Sequence, residues 1–210
     1  LSPEHKRRIM TFYKSMLQRH MYATGKKYFV AKNPAFSAKI ETLTEFFPDA
    51  RIIYLVRNPL DMLPSTISWV NYARRMFTEP KETYLYQDEI VDMTRYWYSH
   101  PLHYLDSHPS PRHLILKYDD LIQRPEQVIR GFYEQLGYPD KPGMEIIVDH
   151  AVKEALSHSS DHVYSYEEMG FTREQIISLY PEIFERFGFD QRQPASQSME
   201  KSFSVNASYD

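Results

Sequence analysis

Five apolar residues in a row, Ile52-Ile53-Tyr54-Leu55-Val56, run without alternation straight into Arg57-Asn58-Pro59. A strand with one wet face alternates apolar and polar residues, so an unbroken run predicts a strand covered on both faces, as in a parallel sheet. Asn58 and Pro59 read as the N-cap and first residue of a following helix over 60–77, with Pro64 an early interruption. Two shorter apolar runs suggest companion strands. Tyr28-Phe29-Val30-Ala31 stops at the Asn33-Pro34 turn, and Leu114-Ile115-Leu116 ends at Lys117-Tyr118.

Helical spacing fills most of the remainder. A helix is expected from Pro3 to about Tyr22, closed by Gly25. An amphipathic helix is expected over 35–47, on Phe36, Ile40, Leu43 and Phe47. Further helices are expected over 85–105 and about 142–156, and another opens at Pro125 and closes at Gly137. Thr172 and Gln175 form a capping box for a last helix, which Pro181 is placed to split. Strands alternating with helices predict an α/β layer structure with a parallel sheet. In such sheets ligands sit beyond the carboxyl ends of the strands, which draws attention to Lys32, Arg57 and Tyr118.

The 210 residues suit one domain, expected over 1–190. After Asp190 the composition shifts to Ser, Gln, Asn and Pro, and a disordered tail is expected over 191–210. Twenty-five basic against 28 acidic residues, a net charge of −3, argue against a chain-wide field for nucleic acid. With no cysteine there is no disulfide, thiolate zinc site or cysteine nucleophile. No apolar run approaches the roughly 20 residues that span a bilayer, and no signal peptide is visible. The chain starts at Leu1 and is read as a fragment or processed product. Oligomeric state is not legible; the cytoplasm is the default compartment.

Arg57 carries the chemistry. A planar guanidinium at a strand end can hold a phosphate through two parallel hydrogen bonds. The helix starting at Pro59 is expected to add free backbone N–H groups and a positive dipole end. Ser65, about two turns on, would add a hydroxyl. The competing reading pairs Arg57 with Asp61 on the surface.

The motif Arg57-Asn58-Pro59-x5-Ser65 after Ile52–Val56 resembles the 3′-phosphate-binding segment of sulfotransferases. Other segments are similar to the same family, in its bacterial-type branch. They are Val30-Ala31-Lys32-Asn33-Pro34, Phe47-Pro48-Asp49-Ala50-Arg51, Lys117-Tyr118-Asp119-Asp120-Leu121, His162-Val163-Tyr164-Ser165, and Arg186-Phe187-Gly188. The order of these weak motifs over roughly residues 8–190 outweighs any one of them. The resemblance implies a P-loop-NTPase-like three-layer fold and transfer of a sulfuryl group from 3′-phosphoadenosine 5′-phosphosulfate to a hydroxyl or amine, without a metal. It implies 3′-phosphate contacts for Arg57 and Ser65, a cofactor-side segment with His162 and Tyr164, and a charge-stabilising catalytic role for Lys32.

The sequence departs from that family at one point. The family holds the 5′-phosphosulfate with a Pro-x-Ser-Gly-Thr loop, and none occurs in these residues. An N-terminally truncated domain carrying half a cofactor site, inactive alone, is therefore expected. Plainer readings stay open: Lys32 as a solvated lysine, Tyr118 as a structural aromatic, His162 and Tyr164 as loop packing. Tyr96, Trp97 and Tyr98 read as a core stripe rather than an acceptor pocket. For zinc, His158 and His162 find no further ligand beyond Asp161, so a metal site is not expected. The alternatives for the whole are a non-catalytic nucleotide-fold binding module or a P-loop nucleotide kinase relative, although no Gly-x4-Gly-Lys-Ser/Thr loop is present.

Overall fold

A computed structural model describes residues 2–78, 84–138, 142–157 and 165–189. Among them the chain is mostly helical, built around a small parallel sheet. Strand β1 (Ile52–Val56) pairs in parallel with β2 (His113–Lys117), with Ile52 opposite His113 and Val56 opposite Lys117. This register sets the residues just beyond the two strands, Arg57 and Tyr118, side by side.

The helices that position β1 and β2 are α3 (Pro59–Arg75) and α4 (Gln87–Ser107). Asn58 caps α3: its side-chain Oδ1 accepts from the Leu60 N–H at 3.0 Å. Pro64 lies inside α3 without ending it. An interior proline removes one backbone hydrogen bond, and here the fully buried ring packs beside Leu60, Leu63 and Ile67. Those three residues recur at helical spacing and face Val56, Ile90, Val91, Tyr98 and Leu102 in the core.

The C-terminal pair completes that core. Thr172 and Gln175 form the expected capping box on α8 (Arg173–Leu179), with Gln175 Oε1 accepting from the Thr172 N–H at 2.7 Å. Pro181 does split the helix, opening α9 (Pro181–Phe187). Ile176, Ile183 and Phe184 are buried against α3 and α4. Arg186 grips Asp106 on α4 through both carboxylate oxygens, the longer bond 2.8 Å.

The remaining helices lie around this centre. They are α1 (Pro3–Thr24), α2 (Ile40–Phe46), α5 (Tyr118–Gln123), α6 (Pro125–Gln135) and α7 (Met144–Ser157). Tyr13 of α1 packs edge-on against Phe36 and Phe47. Thr44 on α2 meets the Tyr104 hydroxyl on α4 at 2.6 Å. Arg51, just before β1, donates to the Leu136 carbonyl at 2.6 Å and stacks over Tyr138.

Three expectations fail. Tyr28–Ala31 is not a buried strand. It has no assigned secondary structure and pairs with no described strand, with Tyr28 and Val30 64% and 90% exposed. Apolar composition alone cannot make a strand, which needs a neighbour for its backbone groups, and no described strand lies there. Strand β1 is not covered on both faces: Val56 is buried, while Ile53 and Leu55 are 41% and 40% exposed. One face of the sheet packs on α3 and α4 and the other is half open. Finally, 35–47 is not one helix. It divides into a 3₁₀ segment, Pro34–Lys39, and α2 at Lys39, whose φ of −130° and ψ of 19° lie outside the helical region; short 3₁₀ pieces are frequent at helix N-termini. The tail expected over 191–210 lies outside the described residues.

Candidate active site

The β1–α3 junction is where the sequence places the anion site. Arg57 is half-buried there, and its guanidinium carbon lies 5.3 Å from the centre of the Tyr118 ring. The parallel register creates this contact, since Arg57 and Tyr118 follow the paired residues Val56 and Lys117. The surface pairing with Asp61 does not form: the ion pairs among the described residues include none from Arg57. A stacked guanidinium keeps its in-plane N–H donors for another acceptor.

Three tyrosines cluster near Arg57, Tyr98 and Tyr180 buried and Tyr54 half-buried. The Tyr98 hydroxyl donates to the Arg57 carbonyl at 2.5 Å. The Tyr54 hydroxyl donates to the Trp97 carbonyl at 2.8 Å, and Tyr180 meets Thr94 at 2.7 Å. Tyr98 and Tyr180 pack edge-on, their ring centres 5.7 Å apart. Burial pushes the Tyr98 hydroxyl well above its ordinary value, with neighbouring Tyr54 and Tyr180 adding to the effect. It remains a proton donor at neutral pH.

The expectation of several free N–H groups at the start of α3 is corrected. Pro59 has no N–H, the Leu60 N–H is taken by Asn58 Oδ1, and those of Asp61 and Met62 bond the Asn58 carbonyl at 3.0 and 2.9 Å. A well-made N-cap uses the donors that an anion would otherwise receive. Ser65 is half-buried on the same helix, and its hydroxyl has no hydrogen-bond partner among the described residues.

The other candidates separate from this centre. Lys32 is exposed on the unpaired segment before Asn33, and no contact among the described residues joins it to Arg57. His162 and Tyr164 lie outside the described residues, as does His158. Tyr96 is stacked on His100 at 4.7 Å, Trp97 is half-buried and Tyr98 is buried. The stripe is thus part core and part surface. Sequence reasoning assigned Tyr98 to the core and missed its bond to Arg57. The only signal was its spacing with Leu102 and Leu105, which speaks of burial and not of a carbonyl partner. Among the described residues no group of His, Asp or Glu is arranged to hold a metal ion. No helix there is long and apolar enough to cross a membrane.

The model of the Sulfotransferase family matches residues 2–142, well over half of the chain. The chain belongs to the sulfotransferase family. Omega-hydroxy-beta-dihydromenaquinone-9 sulfotransferase Stf3 is 29% identical over 192 residues, both in Mycobacterium bovis (strain ATCC BAA-935 / AF2122/97) and in Mycobacterium tuberculosis (strain CDC 1551 / Oshkosh). That match takes in 83% of this chain and 44% of each relative, so the chain spans less than half of their length. The fold resembles the crystal structure of sulfotransferase STF9 from Mycobacterium avium, with a TM-score of 0.61 and 22% identity over 76% of this chain and 41% of that one.

Proposed function

We propose that this chain supplies the 3′-phosphate half of a sulfotransferase site. Arg57 and Ser65 receive the 3′-phosphate of 3′-phosphoadenosine 5′-phosphosulfate, within a P-loop-NTPase-like layered fold. The observation that carries this reading is Arg57 itself, a cation at the carboxyl end of a parallel strand, stacked on Tyr118 and without a carboxylate partner among the described residues.

In the reaction the bond from sulfur to the 5′-phosphate oxygen breaks and a bond from sulfur to the acceptor forms. The acceptor proton passes to a base, and adenosine 3′,5′-bisphosphate leaves. The role of Arg57 is to orient the donor so that the sulfuryl group is presented in line. Lys32 is the residue assigned to charge that develops on the sulfuryl oxygens. His162 and Tyr164 are assigned to the cofactor side. A hydroxyl is the acceptor group to test first, given the omega-hydroxylated substrate in the names of the relatives.

Calorimetric titration with adenosine 3′,5′-bisphosphate tests the reading. Losing a bidentate charged contact costs about 1.5–3 kcal/mol, so Arg57→Ala should weaken binding by roughly ten- to over a hundredfold. Equal binding by the variant would remove Arg57 from the site.

A further inference from the structure

The corrected N-cap leaves one donor unaccounted for. Leu60, Asp61 and Met62 spend their N–H groups on Asn58, and Pro59 has none. The Asn58 N–H makes no hydrogen bond to the described residues, although Asn58 is only 6% exposed. A backbone N–H without a partner on so buried a residue is uncommon, and a ligand or water can supply the missing acceptor.

The direction of that N–H follows from its neighbour. The peptide between Arg57 and Asn58 is trans and planar, so the Arg57 carbonyl and the Asn58 N–H point opposite ways. Tyr98 on α4 draws the carbonyl toward the core. The N–H is thereby turned away from α4, on the peptide that carries the Arg57 side chain. Tyr98 has little freedom to do otherwise: it is 6% exposed and packed edge-on against Tyr180.

We propose that Tyr98 is a positioning residue for the anion site, holding the Arg57 carbonyl so that the Asn58 N–H joins Arg57 and Ser65 as a backbone donor to the 3′-phosphate. The inference rests on the 3′-phosphate reading of this site. Tyr98 touches neither substrate nor donor. It acts through the backbone, and its hydroxyl is the only part that matters for this role. High burial also keeps that hydroxyl protonated, so the clamp does not open near neutral pH.

The test compares two nucleotides that differ only at the 3′ position, adenosine 3′,5′-bisphosphate and adenosine 5′-monophosphate, on the full protein. Tyr98→Phe removes one hydroxyl and keeps the ring in the core. It should weaken the bisphosphate about fivefold to tenfold and leave the monophosphate unchanged. In an Arg57→Ala background the same substitution should add little, because the two act on one phosphate. In amide spectra of the wild type, the Asn58 N–H should move on adding bisphosphate and stay still with monophosphate.

Equal weakening of both nucleotides by Tyr98→Phe would mean a packing effect and overturn the proposal. So would an Asn58 N–H that ignores the bisphosphate. If Arg57→Ala weakens the bisphosphate and Tyr98→Phe does not, only the Tyr98 role falls. If neither variant changes binding, or the wild type binds no bisphosphate, the 3′-phosphate reading falls and takes this one with it.

Discussion

Arg57 and Tyr118 meet across the paired strands β1 and β2, the guanidinium carbon 5.3 Å from the ring centre. Neither strand could make this contact alone. Each ends one residue short of it, and the parallel register brings the two ends level. The ring lies against the cation, and Arg57 makes no ion pair among the described residues. At a partly exposed site such a contact is worth about 0.5–1 kcal/mol. Tyr118→Leu should therefore weaken adenosine 3′,5′-bisphosphate binding by roughly two- to fivefold, with Tyr118→Phe close to wild type. Calorimetry on both variants checks this, and equal losses in the two would point to the hydroxyl instead of the ring.

Asn58 joins stability to the site. Its side chain caps α3 through Leu60 while its carbonyl receives Asp61 and Met62. Asn58→Ala should cost about 1 kcal/mol, in the range for lost N-caps, and lower the midpoint of thermal unfolding. Asn58→Asp keeps an acceptor and should restore most of that stability. The added negative charge beside Arg57 should still weaken the bisphosphate, so stability and binding are expected to part in this variant.

The Asp106–Arg186 pair ties α4 to α9, and its hydrogen bonds hold the Asp106 carboxyl below its ordinary value. A depressed carboxylate contributes stability above its unfolded value of about 4, and loses that contribution as pH falls toward the folded value. Both side chains are substantially exposed, so the pair is worth at most about 1 kcal/mol. Asp106→Asn should lower the unfolding midpoint at pH 7 and change it little near pH 3. Thermal melts at the two values decide the matter.

Burial pushes Tyr180 up to about 12, partly offset by its hydrogen bond with Thr94, and it raises Tyr54 and Tyr98 as well. A group whose folded value is raised stabilises the fold below its unfolded value and loses that contribution as pH rises. For Tyr180 the loss runs from about pH 10 to about pH 12. Ultraviolet titration should show three tyrosines that ionise only as the chain unfolds. In Tyr180→Phe the decline in stability over that window should be shallower. Titration of all tyrosines near pH 10 in the folded protein would contradict the buried cluster.

Much of this molecule is written in local pattern. The run Ile52–Val56, the Asn58-Pro59 helix start, the Thr172–Gln175 box and the break at Pro181 depend on residues a few places apart, and each appears where local chemistry puts it. Arg57 as the candidate anion ligand was legible for the same reason, since a strand end followed by a capped helix is a local event. Tertiary structure decided the rest. Tyr28–Ala31 has the composition of a strand, but pairing needs a neighbour from elsewhere in the chain. The freedom of Arg57 from Asp61, its stacking on Tyr118 and the grip of Tyr98 on its carbonyl join residues 41 or more positions apart in the chain or depend on how those elements pack. Local pattern sets which face of an element is apolar and where it starts. Which side chain meets which carbonyl is set by register and packing, and those exist only once the distant pieces have come together.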